Sequence, residues 1–436
     1  MNRVVVLIGI SLVLALSGGL GMVRGTEPST RATPTPAPVI AVGQGGDLGQ
    51  QIEALQADLR RVPGDHDRWA SLALAYVEQA RGNGDPALYE LADEAVARSF
   101  EEREADNFSA LAARAAVRAA RHEFPTALAD AQEALDLNPL NPTALAIRID
   151  ALTELGRYRE QLAALREADR KQPGVGIVAR YAYAYELRGD LDRATAVLRR
   201  ASTSGSRSDQ AYLLTALADL ERHRGNLKTV QQLLRRADLA VPGQLSLQVE
   251  WARLDVARDR PQRALTRLRN VVAEQPSFGD QVELAELLLH LGRDREAREH
   301  LAAAASALKA LEAQGFTDNL EVALFEADHG SPARALEAAQ EEWRRRQSIH
   351  VADALAWALH QSGRSREALQ YAEAATRLGT PEATFWIHRG TIEAALGLDR
   401  RARTHLERGL TRDPGLSPWQ ADQARAALSE LDRGRG

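Results

Sequence analysis

From about Asp67 the chain follows one pattern again and again: a helical stretch with a small residue in its middle, a tight turn, a second helical stretch marked by Ala, and often a Pro. The turns fall at His122, Gly156, Gly189, Gly225, Asp259, Gly292, Gly330, Gly363 and Gly397, and successive differences are 34, 33, 36, 34, 33, 38, 33 and 34. Gly suits the end of a helix because it adopts positive φ without steric cost. A steady period of this length predicts a stack of helical hairpins that share one continuous core. The apolar share is 44% but the aromatic share only 5%, and Ala and Leu dominate it, as close-packed helices favour.

Small residues keep register inside the period. In the first helices they stand at Ala73, Ala115, Ala182, Ala218, Ala252, Ala285, Ala323, Ala356 and Gly390, with Ile149 the exception. In the second helices they are paired seven apart: Ala127 with Ala134, Ala194 with Ala201, Ala297 with Ala304, Ala368 with Ala375, and Ala402 with Gly409. Gln161, Val230, Val271 and Glu342 interrupt that pairing, while Pro139, Pro173, Pro242, Pro276 and Pro414 close second helices. This arrangement resembles the tetratricopeptide-repeat (TPR) family. The resemblance covers roughly Asp67 to Pro414 and implies an all-α, right-handed superhelical solenoid of about ten TPR-type hairpins, ended by a C-terminal capping helix.

The irregular stretches divide the chain. Residues 1–25 hold the uncharged run Val4 to Val23, readable either as a cleaved signal peptide or as an N-terminal membrane anchor. Residues 26–49 are rich in Pro, Thr and Gly and form a linker; 50–66 form a leading helix; 67–414 form the array. A polar stretch at 202–209 offers a hinge, the 38-residue step makes room for an extra helical turn in one second helix, and 415–436 supply the cap and tail. The expected location is secreted or membrane-anchored, with the repeat body outside the cytoplasm.

Charge and composition narrow the chemistry. The net charge of -5 is spread evenly, without a basic patch, so no nucleic-acid partner is expected. With no Cys there are no disulfides and no thiolate metal sites. The chain carries no phosphate loop, no Gly-x-Ser-x-Gly elbow and no His-Glu-x-x-His, which argues against catalysis, and no cofactor is expected.

The resemblance implies a concave face lined by first helices, where an unknown protein or peptide partner would dock. The groove-facing candidates are Asp150, Arg180, Tyr183, Tyr212, Asp219, Arg222, Arg253, Glu286, His350, Asp353, Trp357, His360 and His388, mixed in charge. For most of them the plainer alternative is a solvated helix face. His350, Asp353, Trp357 and His360 share one stripe of one helix, but His350 and His360 are too far apart, about 15 Å, to ligate one ion. The second reading is therefore a small-ligand or metal carrier centred on the region from His350 to His388, and no metal ligand is assigned.

Overall fold

The computed structural model describes residues 48–83, 85, 87–203, 205–313 and 318–433. The signal or anchor segment and nearly all of the linker lie outside the described residues. Among the described residues there are 22 helices and no strand, and no helix is long and apolar enough to cross a membrane.

The helices from α2 (His66–Asn83) to α21 (Asp399–Arg412) pack as consecutive antiparallel pairs, with α1 (Leu48–Arg61) ahead of them and α22 (Pro418–Arg433) behind. The small positions explain the pairing. Ala73, Ala115, Ala285, Ala323 and Ala356 are fully buried, as are Ala127, Ala134, Ala297, Ala304, Ala368 and Ala375, so neighbouring backbones approach closely. Helix starts are fixed locally: Asn107, Asn141, Asp190, Ser277 and Ser348 each cap a helix by accepting from a backbone N–H, and Pro142, Pro261 and Pro332 occupy first turns.

The predicted turn positions take left-handed backbone at Gly156, Gly189, Gly225, Gly292, Gly363 and Gly397, and also at the non-glycine residues His122 and Asp259. Gly330 departs from this: its φ is −138°, and its N–H caps the helix by donating to Glu326. The long step in the period is taken up by α15 (Asp294–Ala313), at 20 residues the longest helix described. At the proposed hinge, α9 (Leu191–Ala201) and α10 (Arg207–His223) flank a short turn, and Ser206 and Asp209 close a capping box that fixes the entry to α10.

One feature of the fold is not local. The intra-hairpin turns after α6 (Pro142–Glu154), α8 (Val175–Glu186) and α10 lie against the inter-hairpin turns before α18 (Ile349–Gln361), α20 (Ala383–Ala395) and α22. Glu154 meets Arg346, the Tyr158 hydroxyl accepts from the Ile349 backbone N–H at 2.8 Å, and Arg222 meets Asp413, at separations of 192, 191 and 191 residues. A constant offset means that two stretches of the array run side by side in fixed register. The stack therefore coils back onto itself after roughly five to six hairpins of the observed period. This seam has its own apolar cluster, in which Tyr158, Tyr183 and Leu187 from the first run pack with Ile349, Ala352, Ala375 and Phe385 from the second. The C-terminal helix does more than cover the last hairpin: Asp422 reaches His290 at 2.7 Å, and the Trp419 ring packs at a tilt against His329 with centroids 4.8 Å apart.

Candidate binding face and its buried charge network

None of the thirteen candidate residues on the first helices is exposed. Arg180, Tyr183, Asp219, Arg222, Arg253, Glu286, His350, Asp353, Trp357 and His388 are buried, while Asp150, Tyr212 and His360 are partly covered. Solvated helix faces, the plainer expectation, are thus replaced by an interior of paired charges. Neighbouring first helices supply most of the cover, and the seam adds to it at Tyr183, which packs in the seam cluster, and at Arg222, which meets Asp413.

Within that interior, residues about one repeat apart meet because successive first helices lie side by side. Arg180 forks onto Asp150, donating from Nε and Nη2 at 2.8 and 2.6 Å. Arg253 donates to Glu283 at 2.8 Å and to Glu250 at 2.7 Å. Fork geometry of this kind is the strongest form of guanidinium–carboxylate pairing. Arg222 is held between Asp219 on its own helix and Asp413 on the second run.

The stripe from His350 to His360 resolves into a packed aromatic column. Trp357 stacks face to face on His388, with centroids 4.0 Å apart, and on His360 at 5.2 Å. The Trp357 indole N–H donates to Asp328 at 2.7 Å, and His388 Nδ1 lies 2.9 Å from Asp353. His350 instead packs edge-on against Phe385. His350 and His388 are thus committed to packing and to an internal pair. The side chains spaced to hold a metal ion among the described residues are two other sets: Glu186, Asp219 and His223, and Glu286, Asp328 and His329.

Burial sets the protonation states. His388 would be lowered by burial alone, but Asp353, with Asp328 beyond it, raises it above the ordinary histidine value. His350 is pushed down to about 3 by burial and then by Arg346, and His122 is pushed down to about 3 by burial and then by Arg346, with Glu342 opposing. Both are therefore neutral in the folded chain, while the unfolded chain takes up protons below about pH 6.5. Their contribution to stability is present above that pH and is lost as pH falls toward about 3. His329 and His388, both raised, act in the opposite direction, so the clean comparison is between variants. Between about pH 7 and pH 4.5, the thermal midpoint of His350→Leu is expected to fall less than that of the wild type. Parallel midpoint curves by circular dichroism would show that His350 is not held neutral.

The residues that matter most to this network were largely invisible to repeat-by-repeat reading. Glu154, Arg346, Glu342, Asp413 and His223 gain their importance from partners some 190 residues away or from burial, and no spacing within one period marks them. One sign was available: Glu342 stands where the family pattern places a small residue, and it is fully buried.

A tetratricopeptide-repeat family model matches residues 238–423. No curated protein matches the sequence. Among solved structures, the chain is similar to a tetratricopeptide-repeat protein from Parabacteroides merdae (17% identity over 59% of this chain and 98% of that one, TM-score 0.34). It is also similar to a human IFIT1 dimer (14% identity, 83% and 87%, TM-score 0.44) and to pilF of Pseudomonas aeruginosa (17% identity, 48% and 94%, TM-score 0.37).

Proposed function

We propose that this chain, which is a tetratricopeptide-repeat protein, is a non-catalytic scaffold that holds a partner protein or peptide at a bacterial cell envelope. The tetratricopeptide fold is in general a scaffold for protein–protein interaction rather than a site of chemistry. Two features support the envelope: the uncharged run Val4 to Val23 and the Pro-rich stretch that follows it.

The observation that carries the docking mode is the burial of the inner row. Arg180, Asp219 and Trp357 are buried, so the surface open to a partner belongs to the second helices and the rims between hairpins. Large apolar side chains stand out there: Leu239 is 79% exposed, and Leu140 and Leu137 are 52% and 42% exposed beside the Pro139 turn. These rims are the proposed contact, and a peptide in the concave row is the second mode, which requires the buried row to open.

A capture experiment from envelope extract separates the two. One retained protein is expected with the wild-type chain and should be lost with Leu239→Asp or Leu140→Asp. Enrichment of that protein by Gly156→Ala, which disturbs the seam, would move docking to the inner row. No specific protein retained by any form would overturn the scaffold reading. A reporter active only outside the cytoplasm, fused after Gly436, tests location separately, and an inactive reporter would remove the envelope.

A further inference from the structure

Glu186 ends α8, and Asp219 and His223 lie one helical turn apart near the end of α10, so two adjacent hairpins deliver three potential ligands to one point on the inner face. His223 Nδ1 is 3.9 Å from Glu186 Oε1 and 3.8 Å from Asp219 Oδ2, and one ligand atom from each residue lies within 4.8 Å of the others. These separations are too long for hydrogen bonds. They suit the edges of a coordination shell, because two ligands each about 2.0–2.2 Å from one ion stand roughly 3–4 Å apart.

A second observation points the same way. Glu186 is 4% exposed, yet its Oε1 has no hydrogen-bond partner, and neither has His223 Nδ1; both atoms are out of contact with solvent. Burying an unpaired carboxylate oxygen against an unpaired imidazole nitrogen is costly, and the fold supplies no protein group to satisfy them. Arg222 is already shared by Asp219 and Asp413, and Arg253, which also acts on Asp219, is paired with Glu250 and Glu283. Glu382 adds a further buried carboxyl that acts on Asp219 and Asp413, and beyond it Glu250 and Glu283 are neutralised by Arg253. The point is therefore acid-rich and short of cations. Burial first, then Asp219 and Glu382, hold the Glu186 carboxyl well above the usual range, which is the penalty that a bound cation would remove.

We propose that Glu186, Asp219 and His223 bind a first-row divalent transition ion of the Zn²⁺ or Mn²⁺ type through one imidazole nitrogen and two carboxylate oxygens. Such a ligand set suits these borderline ions better than a soft monovalent ion, which prefers sulfur, or Ca²⁺, which prefers oxygen alone. Asp413 Oδ2, from the second run, stands 3.6 Å from the other ring nitrogen of His223, beyond hydrogen-bond range, so the ion sits where the two runs of the array meet. The other spaced set is less suited: His329 Nε2 already pairs with Glu286 at 3.2 Å, Asp328 accepts from Trp357, and the His329 ring is covered by Trp419.

The test is equilibrium dialysis of the untagged full chain, stripped with chelator and exposed to ZnCl2 or MnCl2, with elemental analysis of bound metal. One ion per chain is expected. His223→Gln and the isosteric Glu186→Gln should each weaken binding by at least about 10–100-fold, whereas His329→Gln should bind as the wild type does. Circular dichroism and gel filtration confirm that the variants fold, and Glu186→Gln carries the test alone if His223→Gln does not. No stoichiometric ion in the wild type, unchanged binding in both ligand variants, or loss only in His329→Gln would each overturn the site.

Discussion

Arg346→Ala is expected to lower the unfolding free energy by about 3–5 kcal/mol, the cost of removing one partner from a buried ion pair. Arg346 follows α17 (Pro332–Arg345), is 5% exposed, and bridges Glu342 on its own helix and Glu154 on the other run. Its guanidinium also lies over the Phe124 ring at 5.2 Å. Without it, two fully covered carboxylates face each other with only Arg345 nearby, 3.5 Å from Glu342. Burial already pushes the Glu154 carboxyl up against the pull of Arg346, so truncation leaves that group protonated or strained. Coulomb attraction alone does not make the triad stabilising, because desolvation offsets much of it. Replacing all three with apolar residues of similar volume is accordingly expected to recover most of the loss. Arg364, paired with Glu367 on the surface, is the control and should show no resolvable change on truncation. Urea unfolding followed by circular dichroism measures all of these. A loss under about 1 kcal/mol for Arg346→Ala would mean that the seam is not held by this triad.

The second large effect separates two kinds of glycine. Gly156 and Gly292 have nearly the same backbone, with φ of +70° and +69°, and each ends a first helix. A methyl group at Gly292 meets nothing within 4 Å, whereas one at Gly156 would overlap the Gln347 carbonyl oxygen and come within 3.2 Å of its carbon. Gly189 faces the Gly379 carbonyl in the same way. Gly292→Ala should therefore cost only the left-handed penalty of about 1–2 kcal/mol. Gly156→Ala adds an overpacking cost of about 1–3 kcal/mol, because the obstacle is backbone from the other run and cannot rotate away. Hydrogen exchange gives the local readout: the Ile349 amide, which donates to Tyr158 across the seam, should exchange faster in Gly156→Ala and be unaffected in Gly292→Ala. Equal protection in the two variants would show that the runs are not pressed together at this turn.

The repeat made most of the fold legible. The small residues at Ala115, Ala285 and Ala356, the helix caps at Asn107, Asn141 and Ser277, and the left-handed turns at Gly156 and Gly363 are local requirements, each imposed by neighbours within one period or the next. A helix that must approach another closely needs a small residue at the crossing, and a helix that must end sharply needs a residue tolerant of positive φ. Those needs leave a periodic trace, and the paired helices, the longer α15 and the final cap were all readable from it.

The state of the inner face left no such trace. Whether Asp219, Arg222 and His388 line an open groove or a filled interior depends on how far the stack turns per hairpin, a small angle that accumulates over many interfaces. The accumulated turn brings Glu154 to Arg346 and Arg222 to Asp413, about 190 residues apart, at places where neither member looks unusual within its own repeat. Periodic patterns carry contacts between neighbouring repeats. The amino-acid order therefore determined the hairpins, their packing positions and their ends, whereas only the tertiary structure decided that the array coils back on itself, buries its mixed-charge row, and brings Glu186 and His223 to Asp219 with Glu186 Oε1 and His223 Nδ1 left without hydrogen bonds.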